Sequence, residues 1–447
     1  MHSTKLWLAI VAAALTLGVS TAPSGPAQAA PPTSALFTVT TLPDPSEALA
    51  LDPSTGRVFA MTEAENDDEG GADTDAVTTA SEPQCGEDEH DIAVINADGA
   101  IERYIKISGE AEYMAVDKNL QQLYVPQYND EGPAAPQCLA VVNINPSSPS
   151  AWTVKYFPIP FTFIDPFTHQ DSGFQYDPTG VAADVSTGIV YIGAKMPEIE
   201  DAEEWGVGAI MAFDGNSNTF LDALVPAGDD PESLVFNSAA GKSGRVYTAN
   251  EDEGTLTITS AVTHGTRGGW DTTKFTGDRI TTQRVFDPSE CPAGTYQPAE
   301  ADKLAVDDRT NMNMVYLTDD RFRVAAIPGD VDAALTNVKI LRLSPGETCP
   351  TSNDPEVYNY ANNLALAPNL GAVIKGGRAG LLYVTSENYK VSIVDLKTFT
   401  KSGELSIVDA QGIPASHIDW PVINPGTNRF YISDEQRPAV FIYTLRN

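Results

Sequence analysis

One motif recurs seven times along this chain of 447 residues. A period of that kind restricts the fold more than any single residue does. An apolar run ends at or near Asp or Asn, a turn follows, and a short run centred on Phe or Tyr comes next. The copies are EALALDPSTGRVFAMT from Glu47, EYMAVDKNLQQLYVPQ from Glu112 and GVAADVSTGIVYIGA from Gly180. Then come ESLVFNSAAGKSGRVYTA from Glu232, KLAVDDRTNMNMVYLT from Lys303, NNLALAPNLGAVIKGGRAGLLYVT from Asn362 and HIDWPVINPGTNRFYIS from His417. The aromatic marker falls at Phe59, Tyr124, Tyr191, Tyr247, Tyr316, Tyr383 and Tyr431. Its spacing runs unevenly from 48 to 69 residues, so several loops carry insertions.

Between copies lie two further short runs, such as DIAVIN then IERYIKI, or VSIVDL then KSGELSI. They are rich in Val, Ile and aromatics and are separated by Asp, Asn, Gly, Pro and Ser, the chemistry of strands and hairpins. Each unit therefore holds four antiparallel strands, a to d. Seven such units without helices predict an all-β, seven-bladed β-propeller. A pair of β-sandwiches would not carry one period through the whole chain. Strand a is the most continuously apolar, which predicts an innermost strand packed on both faces. The last unit stops at VFIYTLRN without a fourth strand, while ALFTVTTL, residues 35–42, precedes the first unit as an orphan. That orphan is expected to complete the last blade and remove its open edges.

The N-terminus reads as a secretory signal peptide over residues 1–29. MHSTK is a positive n-region, LWLAIVAAALTLGV an apolar stretch of 14, and AQA a small-residue cleavage site. The stretch is short for a membrane span, and no later segment approaches 18 apolar residues. The expectation is a secreted, extracellular monomer folded as one propeller over residues 30–447, without membrane insertion. Its 61 Asp and Glu outweigh 27 Lys and Arg, for a net charge of −34. Such a surface repels nucleic acid and anionic lipid and leaves cations and basic or neutral ligands as partners.

Four cysteines in an exported chain predict disulfides. Cys85 and Cys138 each end a PQC tripeptide, at the end of the b–c loop in neighbouring blades. Cys291 and Cys349 each precede Pro in d–a loops of neighbouring blades. The expected pairs are Cys85–Cys138 and Cys291–Cys349. The absence of CxxC argues against a zinc site.

The unit DPSTGRVFAMT followed by DIAVINADGAIERYIKI resembles the YVTN-type repeat of bacterial surface and exported seven-bladed propellers, which are related to lactonase-like propellers. GLLYVTSENYKVSIVDLKTF at 380–399 is the closest copy. The resemblance implies the propeller fold and allows a ring-opening hydrolase assisted by a metal or His, but its acting residues find no match here one by one. GxSxG, HExxH, phosphate-binding Gly loops and CxxCH are absent from the sequence.

In a propeller the b–c and d–a loops share one face. Every b–c loop of this chain carries carboxylates, and residues 62–91 hold twelve Asp or Glu and no Lys or Arg. A carboxylate ring suits Ca²⁺ or a cationic ligand, although acidic residues also belong in solvated turns. Aromatics join them on this face: the Phe-rich segment 157–176 with His169, then Tyr296, Tyr358, His417 and Trp420. Such rings suit amines or sugar faces. Glu47, Glu112 and Glu232 open equivalent a strands and are placed nearest the axis. The expected function is non-catalytic binding of a cation, amine, glycan or protein ligand on this face. The alternative is a lactonase-like, metal-assisted hydrolase using the same face.

Overall fold

The Asp that closes each a strand also folds the turn after it. Asp52 Oδ1 accepts from the Ser54 N–H at 2.8 Å and from its hydroxyl at 2.6 Å, and Oδ2 accepts from the Thr55 hydroxyl at 2.6 Å. Asp184 repeats this set with Ser186 and Thr187. Gly56 and Gly188 follow at φ of 75° and 78°. A side chain is strained in that left-handed region and glycine is not. The recurring DxSTG string is therefore a hairpin instruction, satisfied locally.

The computed structural model describes residues 33–63, 85, 89–109, 111–128, 136–164, 171–196, 208–241, 243–261, 279–287, 301–319, 323–331, 335–343, 361–374, 377–386 and 389–446. Residues 1–29, read above as a signal peptide, most of the 62–91 segment, His169, Cys291, Tyr296, Cys349 and Tyr358 lie outside them.

Seven antiparallel four-stranded sheets follow one another along the chain. Their a strands are Ser46–Asp52, Ala115–Asp117, Asp177–Asp184, Ser233–Asn237, Leu304–Asp307, Leu364–Ala367 and Ile418–Asn424. Each a strand contacts the next, and the seventh returns to the first, closing a ring. The protein is a seven-bladed β-propeller with no helix among the described residues. Its last blade consists of Ile418–Asn424, Arg429–Asp434 and Ala439–Arg446, completed by the N-terminal strand Thr33–Thr41, which runs antiparallel to Ala439–Arg446. Among the described residues no helix is long and apolar enough to cross a membrane.

The core lies between blades rather than within them. Seven apolar clusters each span one neighbouring pair of blades, the seventh joining the last blade to the first. The aromatic markers sit one in each cluster, all at most 2 % exposed. In burial, strand b exceeds strand a: Leu381–Thr385 is buried throughout, whereas Leu304–Asp307 is buried only at its two ends. Strand a is innermost as expected, since successive a strands contact one another around the ring; only its expected burial on both faces is corrected. Strand b is flanked by strands on both edges and by blades on both faces, while strand a has an edge toward the axis.

Cys85 and Cys138 form the expected disulfide between blades 1 and 2, with Cα atoms 5.7 Å apart. Gly109 makes room for it. At φ 91°, a Cβ there would lie 2.1 Å from the Cys85 carbonyl oxygen.

Candidate functional site

The a strands all enter the ring from one face, so their first residues meet around the axis. Counting back from the Asp or Asn closing each strand, Glu47, Glu112, Glu232 and Asp302 occupy one position, and Tyr113 and Lys303 the next. A second set comes four residues past each aromatic marker, where strand b ends: Tyr128, Lys195, Glu251 and Glu435. Each member of the second set stands beside the a-strand entrance of its own or the next blade. Tyr128 donates to Glu112 at 3.0 Å. Lys195 lies 3.8 Å from Asp230. The Glu251 and Glu232 carboxyls are hydrogen-bonded.

Lys303 is the centre of this group. Its Nζ lies 2.6 Å from Asp302 Oδ1 and 3.0 Å from Glu232 Oε2. The Tyr113 hydroxyl donates to the same Glu232 oxygen at 2.8 Å. The ammonium also stands 5.7 Å from the Tyr113 ring and 6.0 Å from that of Trp420, within cation–π reach of both. The two rings meet edge to face at 5.1 Å. Trp420 occupies a bulge in the last blade at φ 36° and packs against three of the seven interblade clusters. An indole that touches the 1–2, 2–3 and 7–1 junctions lies across the axial end of the ring.

Protons are divided unequally here. Burial opposes the charge of Glu232, but Lys303 and hydrogen bonds from Glu251 and Tyr113 hold its carboxyl well below the usual range. Burial, then the hydrogen bond and charge of Glu232, push Glu251 far upward, so this pair shares one proton carried by Glu251. Burial works against Lys303 as well, yet Asp302 and Glu232 keep it firmly charged.

A second pair adjoins the first. His417 Nδ1 lies 2.9 Å from Glu435 Oε2, and Glu435 hydrogen-bonds Asp419. Burial, then the charge of Glu435, push Asp419 well upward. Burial opposes ionisation of Glu435 too, but hydrogen bonds from His417 and Asp419 hold it down. His417 and Asp419 thus communicate through Glu435.

Four of the expected site residues, Glu112, Glu232, His417 and Trp420, come together around Lys303. Glu47 lies 3.6 Å from His90 Nε2. His169, Tyr296 and Tyr358 lie outside the described residues. Sequence reasoning left out Tyr113, Lys303, Glu251 and Glu435. The position four past the marker would have found two of them.

No family model matches the chain, and no curated protein does. The arrangement itself supports polar recognition: paired carboxyls, an ammonium, a hydroxyl and two rings around one axial point.

Proposed function

We propose that this chain is an exported propeller that binds a small ligand, or an exposed group of a partner, at its axial mouth without transforming it. The observation that carries this reading is the meeting of Tyr113, Glu232, Asp302, Lys303 and Trp420, drawn from blades 2, 4, 5 and 7. Gathering charges in a desolvated place adds little net stability compared with apolar packing. Such a group is better explained by recognition than by folding. The disulfide and the likeness to YVTN-type repeats support export.

The lactonase-like reading has one observation in its favour. Glu232, Glu251 and Asp302 offer oxygen atoms that all lie within 4.8 Å of one another, the donor type that hard cations take. The ammonium of Lys303, against two of the three, does not fit with a divalent ion among them.

A thermal-shift screen of sugars, amines and divalent ions separates these readings. Binding predicts a saturable stabilisation, about 2.7 kcal/mol at a hundred times Kd, lost in Glu232→Gln. A lactone and ester panel is expected to show no turnover. EDTA-sensitive hydrolysis would establish the second reading, and no stabiliser at low salt would end the first.

A further inference from the structure

We infer that the axial mouth takes an uncharged polyhydroxylated molecule, a sugar or polyol, in preference to a metal ion or an amine. This rests on the binding reading above and narrows it. The first observation is electrostatic. The place a cation would take between Glu232 and Asp302 is already filled by the Lys303 ammonium, at 3.0 and 2.6 Å. A second cation there would meet a like charge at close range in a poorly screened setting. An anion is opposed in turn by Glu232, Asp302 and Glu435 and by the net charge of −34.

The second observation is independent of that balance. Asp419, only 5 % exposed, has an Oδ1 with no hydrogen-bond partner among the described residues. It immediately precedes Trp420 and lies within the field of Lys303. A buried polar atom left without a partner is costly, and a ligand group that reaches it gains accordingly. Asp419 and Glu251 both favour their protonated forms. The Glu251 proton is already given to Glu232 and that of Asp419 to Glu435, so Asp419 still offers an acceptor oxygen. A hydroxyl answers it without bringing charge beside Lys303, whereas an ammonium or a metal ion would add a like charge. Trp420, partly exposed beside the Lys303 ammonium, is the ring on which the C–H face of a sugar lies.

The test is calorimetric titration of the purified protein, at constant ionic strength, with glucose, N-acetylglucosamine, xylose and glucitol, and separately with calcium chloride and putrescine. Saturable heat from at least one neutral compound, with none from calcium or putrescine, is expected. In Asp419→Leu, which keeps side-chain volume, that affinity should fall roughly tenfold or more, the worth of one buried hydrogen bond. In Lys303→Met the preference should shift, with calcium now binding. Wild-type protein that binds calcium or putrescine but no neutral compound overturns this inference and leaves the binding reading intact. Protein that binds none of the six overturns both. Undiminished sugar affinity in a folded Asp419→Leu variant removes Asp419 from the site and overturns the inference as drawn.

Discussion

Lys303 compensates two carboxylates that few water molecules reach, its own side chain being 12 % exposed. Replacing it with Met leaves Glu232 and Asp302 facing one another. Removal of one partner from a buried ion pair costs about 3–5 kcal/mol, and guanidinium denaturation of Lys303→Met is expected to show a loss of that order. Asp230 gives a pH dependence. Burial, then the charge of Glu232, raise its carboxyl to about 7, with Lys195 opposing. In the unfolded chain Asp titrates near ~3.9. The folded state therefore holds this proton more tightly, so stability falls as pH rises from about 4 to about 7 and the loss is complete above that. Asp230→Asn should flatten this decline, and at pH 8 the variant should be more stable than the parent by at least ~1 kcal/mol. An unchanged slope between pH 5 and 8 would show that Asp230 ionises freely. Gly180 acts on the site from a distance: a Cβ there would fall 1.6 Å from the Glu232 carbonyl oxygen. Gly180→Ala should therefore displace Glu232 and weaken ligand binding, read by the same titration.

Among the elements, the N-terminal strand does the work of a missing fourth strand. Thr33–Thr41 pairs along Ala439–Arg446, Leu36 and Val39 pack on the cluster between the last two blades, and Phe37 lies under Arg429 at 3.8 Å. Removing residues 33–41 bares the edge of Ala439–Arg446. The truncated protein is expected to aggregate or melt earlier, and a monomer with the parental melting temperature would contradict the closure. The disulfide joins blades 1 and 2 across 53 residues, a loop worth about 4 kcal/mol in the chain-entropy model. Reduction should lower stability by up to that amount. These elements were legible in the sequence because their signals are local: a hydrophobic period, an Asx turn and an orphan strand each declare themselves within some ten residues. The ranking of strands by burial was not, because apolar content does not say which edge of a sheet faces the axis.

For the whole molecule, the expected second disulfide remains to be placed. Non-reducing peptide mapping is expected to recover Cys291 joined to Cys349, and a free thiol at either would rule out that pair.

What the sequence determined by itself was the fold, its sevenfold order, its closing strand and its first disulfide. Turns capped by Asp52 and Asp184 and markers such as Tyr247 specify strands through short-range hydrogen bonding and apolar burial, and repetition of that chemistry leaves few architectures. It also put Glu112, Glu232, His417 and Trp420 on one face, where the structure groups them near Lys303. What only the tertiary structure decided was their company. Tyr113 reaches Glu232 across 119 residues of sequence and Lys303 reaches it across 71. Those distances close because the ring brings every a-strand entrance to one axis. Desolvation then acts on the assembled group and not on its members singly: it sets which carboxyl keeps a proton and leaves Lys303, the first residue of the fifth motif copy, as the charge that balances the centre.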